Sequence, residues 1–159
     1  MLLPIITHPN PLLRKKTRNI RTVTPEIKRL VRNMAETMYH AGGVGLAANQ
    51  VGEPLNIAIV DVSKEGNQLL VLINPKVLEK SQEKAVQMEG CLSVPGYEGE
   101  VERSVTITMK TMNGGNFTVN GFLARAIQHE MDHLNGKLYI DCLYGDTGLR
   151  RLESKTPRE

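Results

Sequence analysis

The sequence predicts an α+β fold in which antiparallel β-hairpins and sheets pack around one central α-helix. Two segments, 25–40 and 122–134, repeat their apolar residues at helical spacing. The strand candidates follow one another and are joined by turn residues, for example Glu65-Gly66-Asn67 and Asn113-Gly114-Gly115. Strands and helices do not alternate regularly, which disfavours a parallel α/β sheet.

The first half of the chain contains one helix and two strand candidates. Thr24 suits the N-cap position and Pro25 the first helical position, and Gly42-Gly43 ends the apolar pattern. Pro75 marks a break or an edge position, because proline cannot donate to a sheet ladder. The predicted elements are a short helical turn at 12–16, a helix at 25–40, and strands at 56–63 and 69–80.

The second half contains the remaining strands and the second helix. Between 100 and 111, apolar and polar residues alternate, as in a half-buried strand. The predicted elements are strands at 84–90, 100–111 and 117–119, a helix at 122–134, an extended piece at 138–140 and a frayed helix at 149–154. We expect residues 1–159 to form a single catalytic domain, of which 145–159 are a short charged C-terminal tail.

Composition excludes several classes of protein. The chain is 40% hydrophobic but only 4% aromatic, so its core must be aliphatic and methionine-based. A net charge of +3 with scattered basic residues argues against specific nucleic-acid binding. We find no apolar run long enough for a membrane span and no signal peptide. Two cysteines, Cys91 and Cys142, do not make a disulfide framework, which fits a reducing cytoplasm.

The helix at 122–134 carries His129-Glu130-x-x-His133. Residues four apart share one helix face, so the two imidazoles can bind one metal ion. Glu130 is rotated by about 100° from His129 and can stand beside the metal as a general base. The alternative is a solvated polar face, but this is the most apolar helix of the chain, where unpartnered polar groups are costly.

A catalytic metal usually has three protein ligands and one open position. Cys91 is the candidate for the third, in a loop after a strand, where Gly90 leaves room beside it. The alternative for Cys91 is a buried free thiol. His8 and His40 are isolated and suit structural or surface positions, and Cys142 suits a small core residue.

Three stretches together resemble one family, peptide deformylase. Its motif G-x-G-L-A-A-x-Q stands at residues 43–50, E-G-C-L-S at 89–93 and Q-H-E-x-D-H at 128–133. The opening residues 8–14 are also similar, although Asn10 stands where the family more often has Asp. The resemblance covers roughly residues 4–145 and implies a peptide deformylase-like fold around the metal-binding helix.

The resemblance implies a hydrolase that removes the formyl group from the N-terminal formylmethionine of new polypeptides and releases formate. It implies one metal per chain, typically Fe(II), with Zn(II) or Ni(II) also accepted. The ligands that carry over are Cys91, His129 and His133. Glu130 carries over as the general acid and base. Gln50 and the backbone N–H of Leu92 carry over as oxyanion stabilisers, and a buried amide at Gln50 suits that task, whereas its alternative is a surface amide.

Substrate binding follows from the same resemblance. Val44, Gly45 and Leu46 pair with the peptide main chain as an added strand would. The methionine side chain is expected in an apolar pocket beside this segment and the helix face before His129. The other candidate substrate-binding residues are Gly90, Arg125 and Ala126. Arg125 either steers the peptide or extends to solvent, and Asp132 is expected to anchor the helix.

The resemblance also implies partners and a location. The partners are nascent formyl-Met peptides and, transiently, the ribosome, with no membrane and no specific nucleic acid. The location is the cytoplasm, or an organelle if the source is eukaryotic. Two other functions share some of these residues. A zinc peptidase shares the two-histidine helix but usually takes a third His or Glu ligand, and a non-catalytic metal-binding or ribosome-associated module requires neither Glu130 nor Gln50.

Overall fold

The structure is a computed structural model that describes residues 1–146 and 148–152. It contains two α-helices, α1 (Pro25–His40) and α2 (Gly121–Leu134). Short 3₁₀ helices cover Pro11–Arg14, Ala48–Val51 and Tyr139–Asp141. The strands are β1 (Gly45–Ala47), β2 (Ile57–Val60), β3 (Leu70–Ile73), β4 (Lys76–Lys80), β5 (Lys84–Cys91), β6 (Val94–Ser104), β7 (Thr106–Thr111), β8 (Gly115–Asn120) and β9 (Arg150–Arg151).

The strands form three sheets, each of three strands, with every neighbouring pair antiparallel. Their orders are β1-β2-β3, β4-β7-β8 and β5-β6-β9. The sheets and the two helices confirm the predicted α+β class. In the described part of the chain, neither helix combines the length and the apolar content that crossing a bilayer requires.

Helix α1 begins and ends where its sequence predicts. The side chain of Thr24 accepts a hydrogen bond from the Ile27 N–H at 3.2 Å, which satisfies one of the free donors of the first turn. Met34 and Met38 are fully buried in a core cluster with residues of β1, β2 and β3. The methionine-based core expected from the low aromatic content is therefore present on this face.

Helix α2 is central, as predicted. Nine of its 14 residues are buried. Its Ala124 and Ile127 belong to a core cluster with residues of β1, β2, β3 and β7. A helix enclosed in this way holds its histidines and glutamate away from bulk water, which is the setting that a reactive site needs.

Two predicted strands are each divided between two sheets. The strand predicted at 69–80 is interrupted at Asn74, whose φ of +49° turns the chain from β3 into β4. The strand predicted at 100–111 is interrupted at Val105, whose N–H donates to Glu83 O and whose carbonyl accepts from the Gly121 N–H. Along 100–111 the alternating polarity continues through Val105, so that change of sheet has no signal in the pattern. At the other interruption, Pro75 directly after Asn74 marks the break that was predicted there.

Four further predictions were wrong. Cys91 was predicted in a loop after a strand but is the last residue of β5, ahead of the two-residue turn Leu92-Ser93. Of the extended piece predicted at 138–140, only Leu138 has extended backbone, because Tyr139–Asp141 forms a 3₁₀ helix. Cys142 is exposed and is not a core residue. In the tail, Arg150–Arg151 pairs with β6 as a strand, so the predicted helix at 149–154 is absent from its described part, and residues 153–154 lie outside the described residues.

Candidate active site

The structure brings Cys91, His129 and His133 together. Helix α2 places the two imidazoles on one face, with ring centroids 5.0 Å apart. The end of β5 brings Cys91 to them, and its Sγ lies 3.2 Å from Nε2 of His133. One ligand atom from each residue lies within 4.8 Å of the other two. The cysteine therefore joins the two histidines whose spacing suggested a metal site, as expected.

This donor set fits a divalent transition metal. Around a tetrahedral ion with bonds of about 2.0–2.3 Å, neighbouring ligand atoms stand about 3.5 Å apart. The Cys91–His133 separation of 3.2 Å is close to that value. Burial lowers the pKa of His133 well below its usual value, which favours the neutral imidazole that a metal requires. The three residues could hold one metal and leave a fourth position open toward a cavity.

His129 is held by a buried carboxylate. Its Nδ1 lies 2.8 Å from Oε1 of Glu89, which leaves Nε2 turned toward the ligand cluster. Burial alone would raise the pKa of Glu89, but hydrogen bonds from Arg103 and His129 outweigh it and lower the pKa to about 2. Glu89 is therefore charged at neutral pH and fixes the orientation of the imidazole.

Two arginines neutralise Glu89. Arg103 donates through Nε at 2.7 Å and through Nη2 at 2.9 Å, and Arg125 donates through Nη1 at 2.6 Å. Arg103 also donates to Asp132 Oδ2 at 2.8 Å, which gives Asp132 the anchoring contact that was expected of it. Arg125 is 5% exposed and also donates to the carbonyls of Val101 and Ala85, so the expectation that its guanidinium extends to solvent is wrong.

Glu130 lies next to the ligand cluster on the side of the cavity. The carboxylate is fully enclosed, and Oε1 has no hydrogen-bond partner among the described residues. Burial raises the pKa of Glu130 to about 7. Oε2 packs against Gly45, where a Cβ would lie only 2.4 Å away. A side chain at position 45 would therefore push the carboxylate aside. The carboxylate has a pKa at which it can both accept and release a proton.

Gln50 is fixed beside the cysteine. Its Oε1 accepts from the Ala47 N–H at 2.9 Å, and its Nε2 donates to Ser93 Oγ at 2.9 Å. The same Nε2 lies 3.7 Å from Cys91 Sγ. Gln50 is 1% exposed, so it is not a surface amide. The backbone N–H of Leu92 belongs to the turn directly after Cys91.

A cavity of about 450 Å³ opens onto these groups. Its wall includes the sequence-predicted residues Val44, Gly45, Gln50, Gly90, Cys91, Leu92, Arg125, Ala126, His129 and Glu130. The predicted residue Leu46 does not line the cavity, because its side chain is fully buried in the core beneath β1. A larger groove of about 680 Å³ elsewhere on the surface contains none of the predicted site residues, so it is not the reactive site.

Several residues of the site were missed from sequence. Arg103 was assigned to the polar face of a half-buried strand, yet it is 8% exposed and holds Glu89. Ser93, which orients Gln50, had no role assigned to it. Met88, Tyr97 and Leu152 are among the other missed residues that line the cavity. Arg103 stands 14 residues from Glu89. Only the pairing of β5 with β6 brings the two together, and no local pattern reveals it.

Comparison with known proteins supports this assignment of the site. A family model described as polypeptide deformylase matches residues 2–147. A peptide deformylase of Rhizobium meliloti (strain 1021) is 48% identical over 144 residues, which are 87% of this chain and 83% of that protein. The crystal structure of the peptide deformylase of Thermotoga maritima matches with a TM-score of 0.86 at 40% identity, over 91% of this chain and 99% of that one.

A second solved structure carries a peptide. The class I type b peptide deformylase of Acinetobacter baumannii, crystallised with Met-Ala-Ser bound, matches with a TM-score of 0.84 at 31% identity. The match covers 90% of this chain and 99% of that chain. The family match, the fold and the cluster of one cysteine and two histidines lead to the same conclusion: the chain belongs to the peptide deformylase family of hydrolases.

Proposed function

We propose that the chain hydrolyses the formyl amide of N-terminal formylmethionine on newly synthesised polypeptides and releases formate. The observation that carries this proposal is that Glu130 lines the same cavity as Cys91 and His129, two members of the ligand cluster that His133 completes from beneath the surface. A structural metal site would need neither an open position nor a buried carboxylate beside it.

The cluster would hold one divalent metal, which we propose to be Fe(II), with Zn(II) or Ni(II) able to replace it. A bound divalent metal supplies Lewis acidity toward a carbonyl oxygen and lowers the pKa of water. A thiolate ligand from Cys91 donates more charge than a third imidazole and suits a soft transition metal. It also makes the site sensitive to oxidation.

Glu130 is the proposed general acid and base. It accepts a proton from the attacking water as the water oxygen bonds to the formyl carbon. When the carbon–nitrogen bond breaks, the amine takes the electron pair, and Glu130 returns the proton to that nitrogen. The products are formate and a free N-terminus. Its pKa of about 7, raised by burial, supports both steps at neutral pH.

Gln50 and Leu92 are the proposed oxyanion stabilisers. The hydrogen bonds of Gln50 to Ala47 and Ser93 hold its amide rigidly, so its Nε2 needs no reorganisation when charge develops on the formyl oxygen. The Leu92 N–H follows Cys91 directly and can approach the same oxygen. Loss of one such donor typically lowers kcat about 100- to 1000-fold.

Strand β1 is the proposed binding edge for the peptide. It lies at the edge of its sheet, with β2 on one side only. The main chain of Val44, Gly45 and Leu46 can therefore pair with an extended peptide. This use of Leu46 requires only its backbone, which is compatible with its buried side chain. The relative crystallised with Met-Ala-Ser supports a peptide ligand of this length.

The methionine side chain is proposed to enter the cavity beside β1. Gly90 and Ala126 leave room in its wall, and Val44 is 41% exposed and offers apolar contact. Arg125 lies in the same wall. Because Glu89 binds its guanidinium, we propose that Arg125 shapes the pocket and does not steer the peptide.

We further propose that residues 1–159 form one catalytic domain that acts on nascent chains in the cytoplasm or an organelle. A transient association with ribosomes would bring it to this substrate. Specific nucleic acids and membranes are not among its proposed partners.

The test is a product assay with the metal-loaded protein, prepared anaerobically. Formyl-Met-Ala-Ser is the substrate, and acetyl-Met-Ala-Ser is the matched control that differs only at the acyl group. We expect formate from the first peptide and no hydrolysis of the second. Cleavage of internal peptide bonds without formate would make the chain a peptidase instead. No reaction by protein that contains metal would make it a binding module.

A further inference from the structure

The two metal-binding histidines differ in how their second ring nitrogen is held. Nδ1 of His129 has Glu89 as its partner at 2.8 Å. Nδ1 of His133 is fully buried and has no hydrogen-bond partner within the described residues. A histidine that binds a metal through one nitrogen almost always donates from the other, because that bond fixes the ring and its tautomer. His133 therefore needs an acceptor that the direct contacts of the fold do not supply.

Asn49 lies against His133. It is 3% exposed, in the 3₁₀ helix Ala48–Val51 beside the end of α2. Its Nδ2 donates to the backbone carbonyl of His133 at 2.5 Å. That contact requires a donor and so fixes which end of the amide is nitrogen. Its Oδ1 is left buried and, across the part of the chain that the structure describes, without a partner.

The two unpartnered atoms are complementary. Nε2 of His133 lies 3.2 Å from Cys91 Sγ and so belongs to the ligand cluster. When Nε2 binds a metal, the neutral imidazole carries its proton on Nδ1, which then can only donate. Oδ1 of Asn49 can only accept. Buried polar atoms without a direct partner are commonly satisfied by one enclosed water that bridges them.

We propose that Asn49 is a positioning residue for His133, whose Nδ1–H is held by Asn49 Oδ1 through one buried water. This inference rests on the proposed metal centre. Glu89 orients one imidazole with a charged carboxylate, and Asn49 orients the other with a neutral amide. The two halves of the Asn49 amide have separate roles. Nδ2 donates to the backbone carbonyl of His133 near the end of α2, and Oδ1 orients the imidazole of His133 through the water.

The experiment measures the dissociation constant of Zn(II) by competition with a chelator, without reference to activity. Asn49→Leu removes donor and acceptor, whereas Asn49→Asp removes the donor and keeps an acceptor. We expect Asn49→Leu to raise the dissociation constant about 10- to 100-fold, as loss of such a partner typically does. Asn49→Asp should stay within about threefold of the wild type, because its carboxylate still accepts from His133.

Thr17→Val is the matched control. Thr17 Oγ1 donates to the carbonyl of Leu134 at 2.9 Å, so this variant removes a bond to the same helix end without touching His133. It should lower stability and leave the dissociation constant unchanged. If Asn49→Leu does not fold, Asn49→Ala replaces it. In the Co(II)-loaded protein, the ligand-field bands should shift in Asn49→Leu and not in Thr17→Val, because only the former frees the imidazole.

The outcomes separate this inference from the proposed function. Equal loss of Zn(II) affinity in Asn49→Leu and Asn49→Asp would overturn it. Asn49 would then act only through its hydrogen bond to the backbone carbonyl of His133. Wild-type affinity in folded Asn49→Leu would overturn it and leave the metal centre standing. If the wild type itself bound no metal, both the inference and the metal centre would fail.

Discussion

At the residue scale, the carboxylate of Glu130 packs directly against Gly45. The carboxylate occupies the space where any other residue at position 45 would carry its Cβ, 2.4 Å from Oε2. A side chain there must displace Glu130, which has little room to move because it is enclosed. The geometry of the proposed general base therefore depends on a residue to which no chemical role is assigned.

Gly45→Ala should accordingly damage catalysis and spare the fold. A displacement of about 1 Å at a reacting group can lower the rate about 100-fold, so we expect a fall in kcat of that order. The thermal midpoint should change little, since the strand accepts alanine. Steady-state kinetics on formyl-Met-Ala-Ser measure the effect, with Gly114→Ala in the β7–β8 turn as the control. Wild-type kcat in Gly45→Ala would disprove the contact.

Glu89 is the second residue on which the site depends. Arg103, Arg125 and His129 all donate to its carboxylate, and its side chain is only 5% exposed. Removal of one partner from a buried ion pair costs about 3–5 kcal/mol, because the remaining charges stay buried. Glu89→Gln should therefore lower the free energy of unfolding by about that amount, measured by chemical denaturation.

Asp132→Asn supplies the comparison for that variant. Its side chain is 28% exposed, and it binds Arg103 at the rim of the same network. A partly solvated pair is worth about 1 kcal/mol or less. Equal destabilisation by both variants would show that burial does not set the strength of these ion pairs.

At the element scale, local signals predicted the helices well. Thr24 and Pro25 specify the start of α1, and the spacing of the two histidines specifies the functional face of α2. Both signals act within one turn of helix, so they can be read directly from the sequence. The cluster of Cys91, His129 and His133 and the buried position of Gln50 could be predicted because each residue stands in a short motif.

The strands were predicted less well because sheet pairing is not local. Val105 changes the chain from one sheet to another while the alternation of polarity continues, and at Asn74 only the neighbouring Pro75 marks the change. The contacts of Arg103 and Asn49 cross from one element to another and leave no periodic trace. The composition of Arg150–Arg151 favours no particular structure. These residues form a strand because they pair with Tyr97 and Glu98.

The cap of α1 offers a test at this scale. Thr24→Ala removes the acceptor for the Ile27 N–H and should cost about 1 kcal/mol of stability. Urea denaturation measures this loss, and Thr22→Ala, two residues before the N-cap, is the control. Kinetic constants should not change, because no residue of the first turn of α1 lines the cavity. An unchanged unfolding midpoint would show that the cap does not stabilise the helix.

At the scale of the whole molecule, Asp61 joins α1 to the segment after β2. It accepts from Ser63 Oγ at 2.5 Å and from Tyr39 Oη at 2.6 Å. The bonds from Ser63 and Tyr39 lower the pKa of Asp61 to about 2. The pKa of Asp61 in the folded protein is below the unfolded value of about 3.9. The charged carboxylate therefore stabilises the fold at pH values above about 3.9.

This stabilisation should disappear in acid. It should be fully present above about pH 4 and be lost as the pH falls toward about 2. The free energy of unfolding of the wild type, minus that of Asp61→Asn, should therefore shrink across this window and be constant between about pH 5 and pH 7. A difference that does not depend on pH would show that Asp61 acts through packing alone.

The central claim is that Glu130 moves the proton at a metal held by Cys91, His129 and His133. Formate release from formyl-Met-Ala-Ser by metal-loaded Glu130→Gln tests it most directly, because glutamine keeps the size of the side chain and loses its basicity. We expect one bound metal per chain, as in the wild type, with turnover reduced at least about 100-fold. Near-normal formate release by that variant would contradict the claim.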